Sequence, residues 1–173
     1  MDHLVWIASL WIVTVAVGAL GLPISRFLFN ASSDGGYAFS KILSWFAVGY
    51  LTFLIATLGL APLAFPAITL ALLIWAAGNA FVHWKLADHM APPPRFSQII
   101  TTELIFVSVC AGLVIIKGFH PEIYQIERFM DFGFIETLRN SASLPLTDLW
   151  LAGETLNYYY LSHFIGFVVL TLT

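Results

Sequence analysis

Hydrophobic and polar positions along this chain do not alternate; they segregate into long blocks. Four apolar runs, 3–22, 42–60, 67–84 and 99–116, approach the roughly 20 residues that an α-helix needs to cross a bilayer. A fifth begins near Leu161 and reaches only Thr173. The chain therefore reads as cut inside a helix, the N-terminal piece of a larger membrane protein. The first run lacks the marks of a cleaved leader: Met1, Asp2 and His3 supply no basic segment, and Gly21-Leu22-Pro23 is a poor processing site. It is expected to stay as a transmembrane helix.

The connections follow from their breakers. Pro23 is expected to end the first helix, and residues 30–36 form a turn-rich loop ending in Gly35-Gly36. Residues 61–66 carry no charge and make a tight connection, so the second and third runs form an antiparallel hairpin. Pro92, Pro93 and Pro94 stiffen the next loop. Composition agrees: 60% of residues are hydrophobic and 10% charged, against roughly 25% charged in soluble domains. Such a chain is built for a bilayer, and no nucleic-acid partner is expected. The one cysteine, Cys110, lies in an apolar run, so no internal disulfide can form.

Basic residues set the expected orientation. Arg26 and Lys41 flank the first loop, and Lys85 and Arg95 flank the third. The positive-inside bias then makes these loops cytoplasmic, with the N-terminus outside and segment 117–160 on the extracytoplasmic face of the plasma membrane.

That segment is the one polar interruption long enough to hold chemistry. It carries Glu122, Glu127, Asp131, Glu136, Asp148 and Glu154, and closes with Asn157-Tyr158-Tyr159-Tyr160. Residues 121–140 read as an amphipathic helix, with Ile123, Ile126, Phe129, Met130, Phe134 and Leu138 at helical spacings. Such a helix is expected to lie along the membrane surface, its apolar face in the interface. Glu127 and Asp131, four apart, project from one face. They suit a general base or a metal-binding pair; the same spacing also describes an ordinary solvated face. Tyrosines cluster at interfaces in any membrane protein, yet they also suit a sugar ring or a phosphate headgroup. Asn157 could hydrogen-bond either, and His163 shares a helical face with Tyr159. Glu103, one turn inside the fourth run, is expected to pair with a cation on a missing helix or to snorkel. Asn79 and His83 read as hydrogen-bonding contacts between helices. No zinc spacing, phosphate loop or nucleophile elbow is present.

Several blocks in this segment occur in one order: Pro121-Glu122-Ile123-Tyr124, then 127–134, then Asp148-Leu149-Trp150-Leu151-Ala152-Gly153, then Thr155-Leu156-Asn157-Tyr158-Tyr159-Tyr160. With Glu103 and Arg26 ahead of them, they resemble the uncharacterised "YYY" multi-pass membrane family (Chlor-Arch-YYY type). That family is distantly similar to C-type glycosyltransferases, which take sugars from polyprenyl-phosphate donors. The chain departs from the pattern at Arg128 and Phe129, where Lys-Pro is common. It also departs at Glu154, where glycine is common, and at Leu161-Ser162, where Phe-Gly is common.

The resemblance implies a polytopic all-α transmembrane bundle whose extracytoplasmic loop carries interface helices. It implies catalytic roles for Glu127 and Asp131. Substrate contacts would come from Arg128, Asp148, Trp150, Asn157, Tyr158, Tyr159, Tyr160 and His163. A divalent metal, Mg or Mn, is a candidate to steady the donor phosphate. Expected partners are membrane lipid, a polyprenyl-phosphate sugar donor and the remaining C-terminal helices. The alternative is a non-enzymatic transporter or assembly scaffold.

Overall fold

A computed structural model describes residues 2–119, 122 and 126–173. Seven α-helices follow in order: α1 (Asp2–Leu20), α2 (Leu22–Leu28), α3 (Tyr37–Thr57), α4 (Phe65–Leu86), α5 (Phe96–Phe119), α6 (Ile126–Asn140) and α7 (Leu161–Leu172). Helix α4 runs on through a short 3-10 turn, Ala87–His89. Among the described residues the only β pairing is one isolated bridge, Thr147 to Thr155. The protein is an all-α helical membrane bundle. Among the described residues three helices are long and apolar enough to cross a membrane, and α1 with α2 makes a fourth if the bent pair is one span.

Helix α3 is the spine. Its Val48, Ile55 and Ala56 are buried in one cluster with Ala67, Ile68 and Ala71 of α4. Small residues there let two backbones approach closely, which matters because lipid leaves van der Waals contact as the main force between helices. On another side Gly49 admits α7: a Cβ at that position would lie 2.8 Å from the Ile165 side chain.

The first helix ends earlier than its apolar run suggests. The chain bends by 59° at Gly21, and Pro23 does not terminate a helix; it sits in the first turn of α2. Proline is at home there, because its missing N–H would have no partner in any case. Helix α2 is tied to its surroundings by polar contacts. Ile24 N–H donates to Asn79 Oδ1 at 3.0 Å, the helix-to-helix role expected of Asn79. Arg26 donates from Nε and Nη2 to the Ala91 carbonyl at 2.9 and 2.5 Å.

The turn into α3 is built by Asp34 and Gly36. Asp34 accepts N–H bonds from Gly36 at 3.0 Å and Ala38 at 2.7 Å, and the Ser32 hydroxyl at 2.5 Å. Partial burial opposes ionisation, but these donors outweigh it and hold the carboxyl below its usual range. Gly36 has φ +78°, and a Cβ on it would meet the Ser25 carbonyl at 2.7 Å, so glycine is required.

Glu103 finds its cation within the chain rather than on a further helix. Its carboxylate takes Lys41 Nζ at 2.5 Å, Tyr37 Oη at 2.6 Å and Trp11 Nε1 at 3.0 Å. This cluster joins α5 to α3 and α1, and α5 has no buried residue of its own.

Helix α6 departs from the expectation of a helix whose apolar face lies in lipid. Residues 120, 121 and 123–125, which hold most of the first turn of the 121–140 reading, lie outside the described residues. From Ile126 onward the face carrying Met130, Phe134 and Leu138 packs inward, and Phe134 and Leu138 are fully buried with Phe164, Phe167 and Val168 of α7. Facing aromatic rings give denser contact than lipid chains can. The segment after α6 is pinned by Leu63 N–H donating to the Ala142 carbonyl at 2.9 Å.

Candidate functional site

Docking α6 by its Met130, Phe134 and Leu138 face decides where its carboxylates go. Glu127, Asp131 and Ile135 follow at four-residue spacing along the neighbouring stripe. That stripe faces the end of the tyrosine run and the first turns of α7. Between them lies an open cavity of about 550 Å³, lined by Glu127, Asp131, Tyr158, Tyr159, Ser162 and His163 over a floor of Met130, Ile135 and Gly166.

One hydrogen bond closes the cavity's inner wall. His163 Nε2 lies 2.7 Å from Asp131 Oδ1. With Asp131 ionised, Nε2 is the donor. Nδ1 is buried and has no partner among the described residues. The histidine side chain is 10% exposed and the aspartate 53%, so a fixed ring holds a carboxylate that still faces water.

Phe134 supports this wall from beneath. Its ring meets His163 edge-on at 5.0 Å, Tyr158 at 5.5 Å and Trp150 at 5.8 Å between centroids. The His163 and Trp150 contacts are edge-to-face and the Tyr158 contact is tilted, and such packing fixes ring orientation as well as adding attraction.

The opposite wall is a pair of stacked phenols. Tyr158 and Tyr159 lie 4.2 Å apart at 24°, and Tyr158 Oη donates to Tyr159 Oη at 3.0 Å. That donation raises the Tyr158 phenol above its ordinary value, and desolvation and the negative charges of Glu127 and Asp131 act in the same direction. The phenol stays neutral as a hydrogen-bonding group.

Glu127 has no hydrogen-bond or ion-pair partner among the described residues and sits in the first turn of α6, where the helix dipole favours a negative charge. Among the described residues no lysine or arginine lines the cavity. Arg128 lies on the adjacent face, its Nη1 3.4 Å from the Glu122 carbonyl. Lys117 approaches the same oxygen at 3.5 Å. Arg139 is taken up by Glu136 at 2.7 Å.

The remaining expected site residues fall elsewhere. Asp148 shapes a hairpin: its Oδ1 accepts the N–H groups of Trp150 at 2.7 Å and Leu151 at 3.0 Å. Trp150 borders a separate groove beside Phe129 and Phe132. Asn157 is exposed and outside the cavity lining. Tyr160 turns inward against Phe53, and burial raises its phenol. Among the described residues no three His, Cys, Asp or Glu side chains come together as a metal cage. Glu127 and Asp131 are two carboxylates of the kind that share a Mg²⁺ or Mn²⁺ with a donor phosphate.

Sequence reasoning missed Ser162, Gly166, Met130 and Ile135 as lining. The spacing from Ser162 to Gly166 on one face of α7 was the available signal.

The family description that matches this chain covers residues 47–173, which take in the second half of α3, α4, α5, α6, the tyrosine run and α7. It is that of the uncharacterized membrane protein family DUF2298. The chain belongs to DUF2298. No curated protein and no solved structure matches it. In this DUF2298 protein the matched span contains every residue of the cavity, whereas α1, α2 and Lys41 lie before it.

Proposed function

We propose that this DUF2298 protein is the N-terminal part of a C-type glycosyltransferase-like enzyme. It would transfer a sugar from a polyprenyl-phosphate donor on the extracytoplasmic side of the plasma membrane, with its N-terminus outside. The observation that carries this reading is the cavity between α6 and α7, where two carboxylates face two stacked tyrosines. Aromatic faces and carboxylate oxygens are the groups that hold a sugar ring and its hydroxyls.

Glu127 is the acceptor base, because of the two cavity carboxylates it is the one without a partner among the described residues. It takes the proton of an acceptor hydroxyl as that oxygen bonds to the sugar's anomeric carbon. The bond from that carbon to the phosphate oxygen breaks, and polyprenyl phosphate leaves. Asp131, held by His163, receives a sugar hydroxyl. The cavity itself is acidic, so the phosphate lies outside it, near Arg128 and Lys117, which approach one carbonyl.

The test is a transfer assay on the full chain with a polyprenyl-phosphate sugar as donor. Glu127→Gln is expected to lose about 10²–10⁴-fold in rate, as for a lost general base. Full activity in that variant removes Glu127 from the mechanism. Full activity in both Glu127→Gln and Asp131→Asn removes the cavity.

A second reading, a transporter, draws on the Lys41–Glu103 pair, because charges within membrane helices often mark transport paths. Here Glu103 is held by three donors at once. That arrangement serves as a tie between helices better than as a moving ion site.

A further inference from the structure

Helix α6 has a second lined face, opposite the cavity. Phe129, Phe132, Glu136 and Asn140 follow one another there at three- and four-residue spacings. This stripe is aromatic toward the start of the helix and polar toward its end. Across from it stands the hairpin that carries Thr147 and Trp150, and the two enclose an open groove of about 550 Å³. That volume falls within the range of small-molecule sites.

The aromatic end is pre-organised. Asp148 Oδ1 accepts the Trp150 and Leu151 N–H groups, and the base of the hairpin is closed by Leu156 N–H donating to the Leu146 carbonyl at 2.8 Å. Leu149 packs so closely on Gly133 that a Cβ there would lie 2.8 Å away. Phe134 meets the indole edge-on at 5.8 Å between centroids. Held in this way, Trp150 and Phe132 are still 58% and 52% exposed where they line the groove.

The polar end is made of acceptors. Asn140 Nδ2 donates to the Glu136 carbonyl at 2.8 Å, which commits the amide nitrogen and leaves Oδ1 as an acceptor. Glu136 Oε1 takes Arg139 at 2.7 Å, and the second carboxylate oxygen has no partner among the described residues. The Thr147 hydroxyl adds a further acceptor from the hairpin. These groups select among occupants. Among the described residues no lysine or arginine lines the groove, which does not suit a phosphate or a carboxylate. An acyl chain would cover the acceptors without supplying donors, at about 1–3 kcal/mol for each one left unmet. An ammonium group would find one carboxylate, already shared with Arg139. A sugar meets both ends, with a C–H face for the aromatic rings and hydroxyls for the acceptors.

We infer that this groove binds an uncharged saccharide, which lays an apolar face on Trp150 and Phe132 and donates hydroxyl hydrogen bonds to Glu136, Asn140 and Thr147. Helix α6 separates the groove from the cavity, and the inference does not rest on the transfer reaction proposed there.

The test presents the labelled full chain, in phosphatidylglycerol nanodiscs, to an array of neutral hexose and pentose oligosaccharides. Binding to at least one of them is expected, weakened about tenfold or more in Trp150→Ala and in Asn140→Leu. Binding to none overturns the inference, and so does binding that both variants keep. Binding lost in Tyr159→Ala and kept in Trp150→Ala also overturns it, by placing the sugar in the cavity, and leaves the reading of the cavity standing. If Trp150→Ala does not fold, tryptophan emission on adding the bound oligosaccharide gives the same answer through Trp150→Phe. The emission change is expected to fall at least about twofold in that variant, and an undiminished change counts against the inference.

Discussion

At the scale of single residues, Phe134 and His163 do more for the site than the carboxylates they support. Phe134 is fully buried and touches three aromatic rings of the hairpin, the tyrosine run and α7. Phe134→Ala is expected to cost about 3–5 kcal/mol of stability, read from unfolding in detergent. A loss under about 1 kcal/mol would show that the rings do not rest on it. Asp34 gives a pH test. Its folded-state carboxyl titrates below the unfolded one, so its contribution is present above about pH 4 and lost as pH falls through the lowered value. Asp34→Asn should lower stability at neutral pH and flatten that part of the acid limb; an unchanged limb would contradict the capping role. The sequence made Glu127, Asp131 and the tyrosines legible as a polar cluster in an apolar chain. It did not show that His163 binds Asp131, because that bond joins residues 32 positions apart through the docking of two helices.

At the scale of elements, α6 shows how far periodicity reaches. Its spacing marked an amphipathic helix, and the helix is there from Ile126. The pattern could not say which apolar stripe meets protein, since Met130, Phe134, Leu138 and Phe129, Phe132 are equally apolar. The partner decides, and the partner is α7. Likewise Pro23 is expected to end the first helix, whereas the break falls at Gly21 and leaves Pro23 inside the first turn of α2. Helix α5 is held chiefly through Glu103. Glu103→Ala leaves Lys41 buried without its carboxylate and should destabilise by about 3–5 kcal/mol, whereas Lys41→Met with Glu103→Leu should recover most of that loss. A double variant as unstable as the single one would show that the charges themselves are needed. Gly49→Val should cost about 1–3 kcal/mol by pushing α7 from α3.

For the whole molecule, the segregation of apolar runs was enough to establish a multi-pass helical bundle, because a bilayer demands long internally bonded helices. The same economy explains what stayed hidden: lipid-facing and protein-facing residues look alike in sequence, so the pairing of helices had to come from the fold. The result is a bundle with a polar tie, Lys41 with Glu103, at one end and an acidic, aromatic cavity at the other. The central claim is that this cavity holds the sugar of a polyprenyl-phosphate donor. It is tested most directly by photo-crosslinking the full chain in membranes with such a donor bearing a diazirine on the sugar. The account predicts adducts on Tyr158, Tyr159 or the first two turns of α6, displaced by unlabelled donor and strongly reduced in Tyr159→Ala. Adducts confined to other helices, or labelling unchanged in Tyr159→Ala, would contradict it.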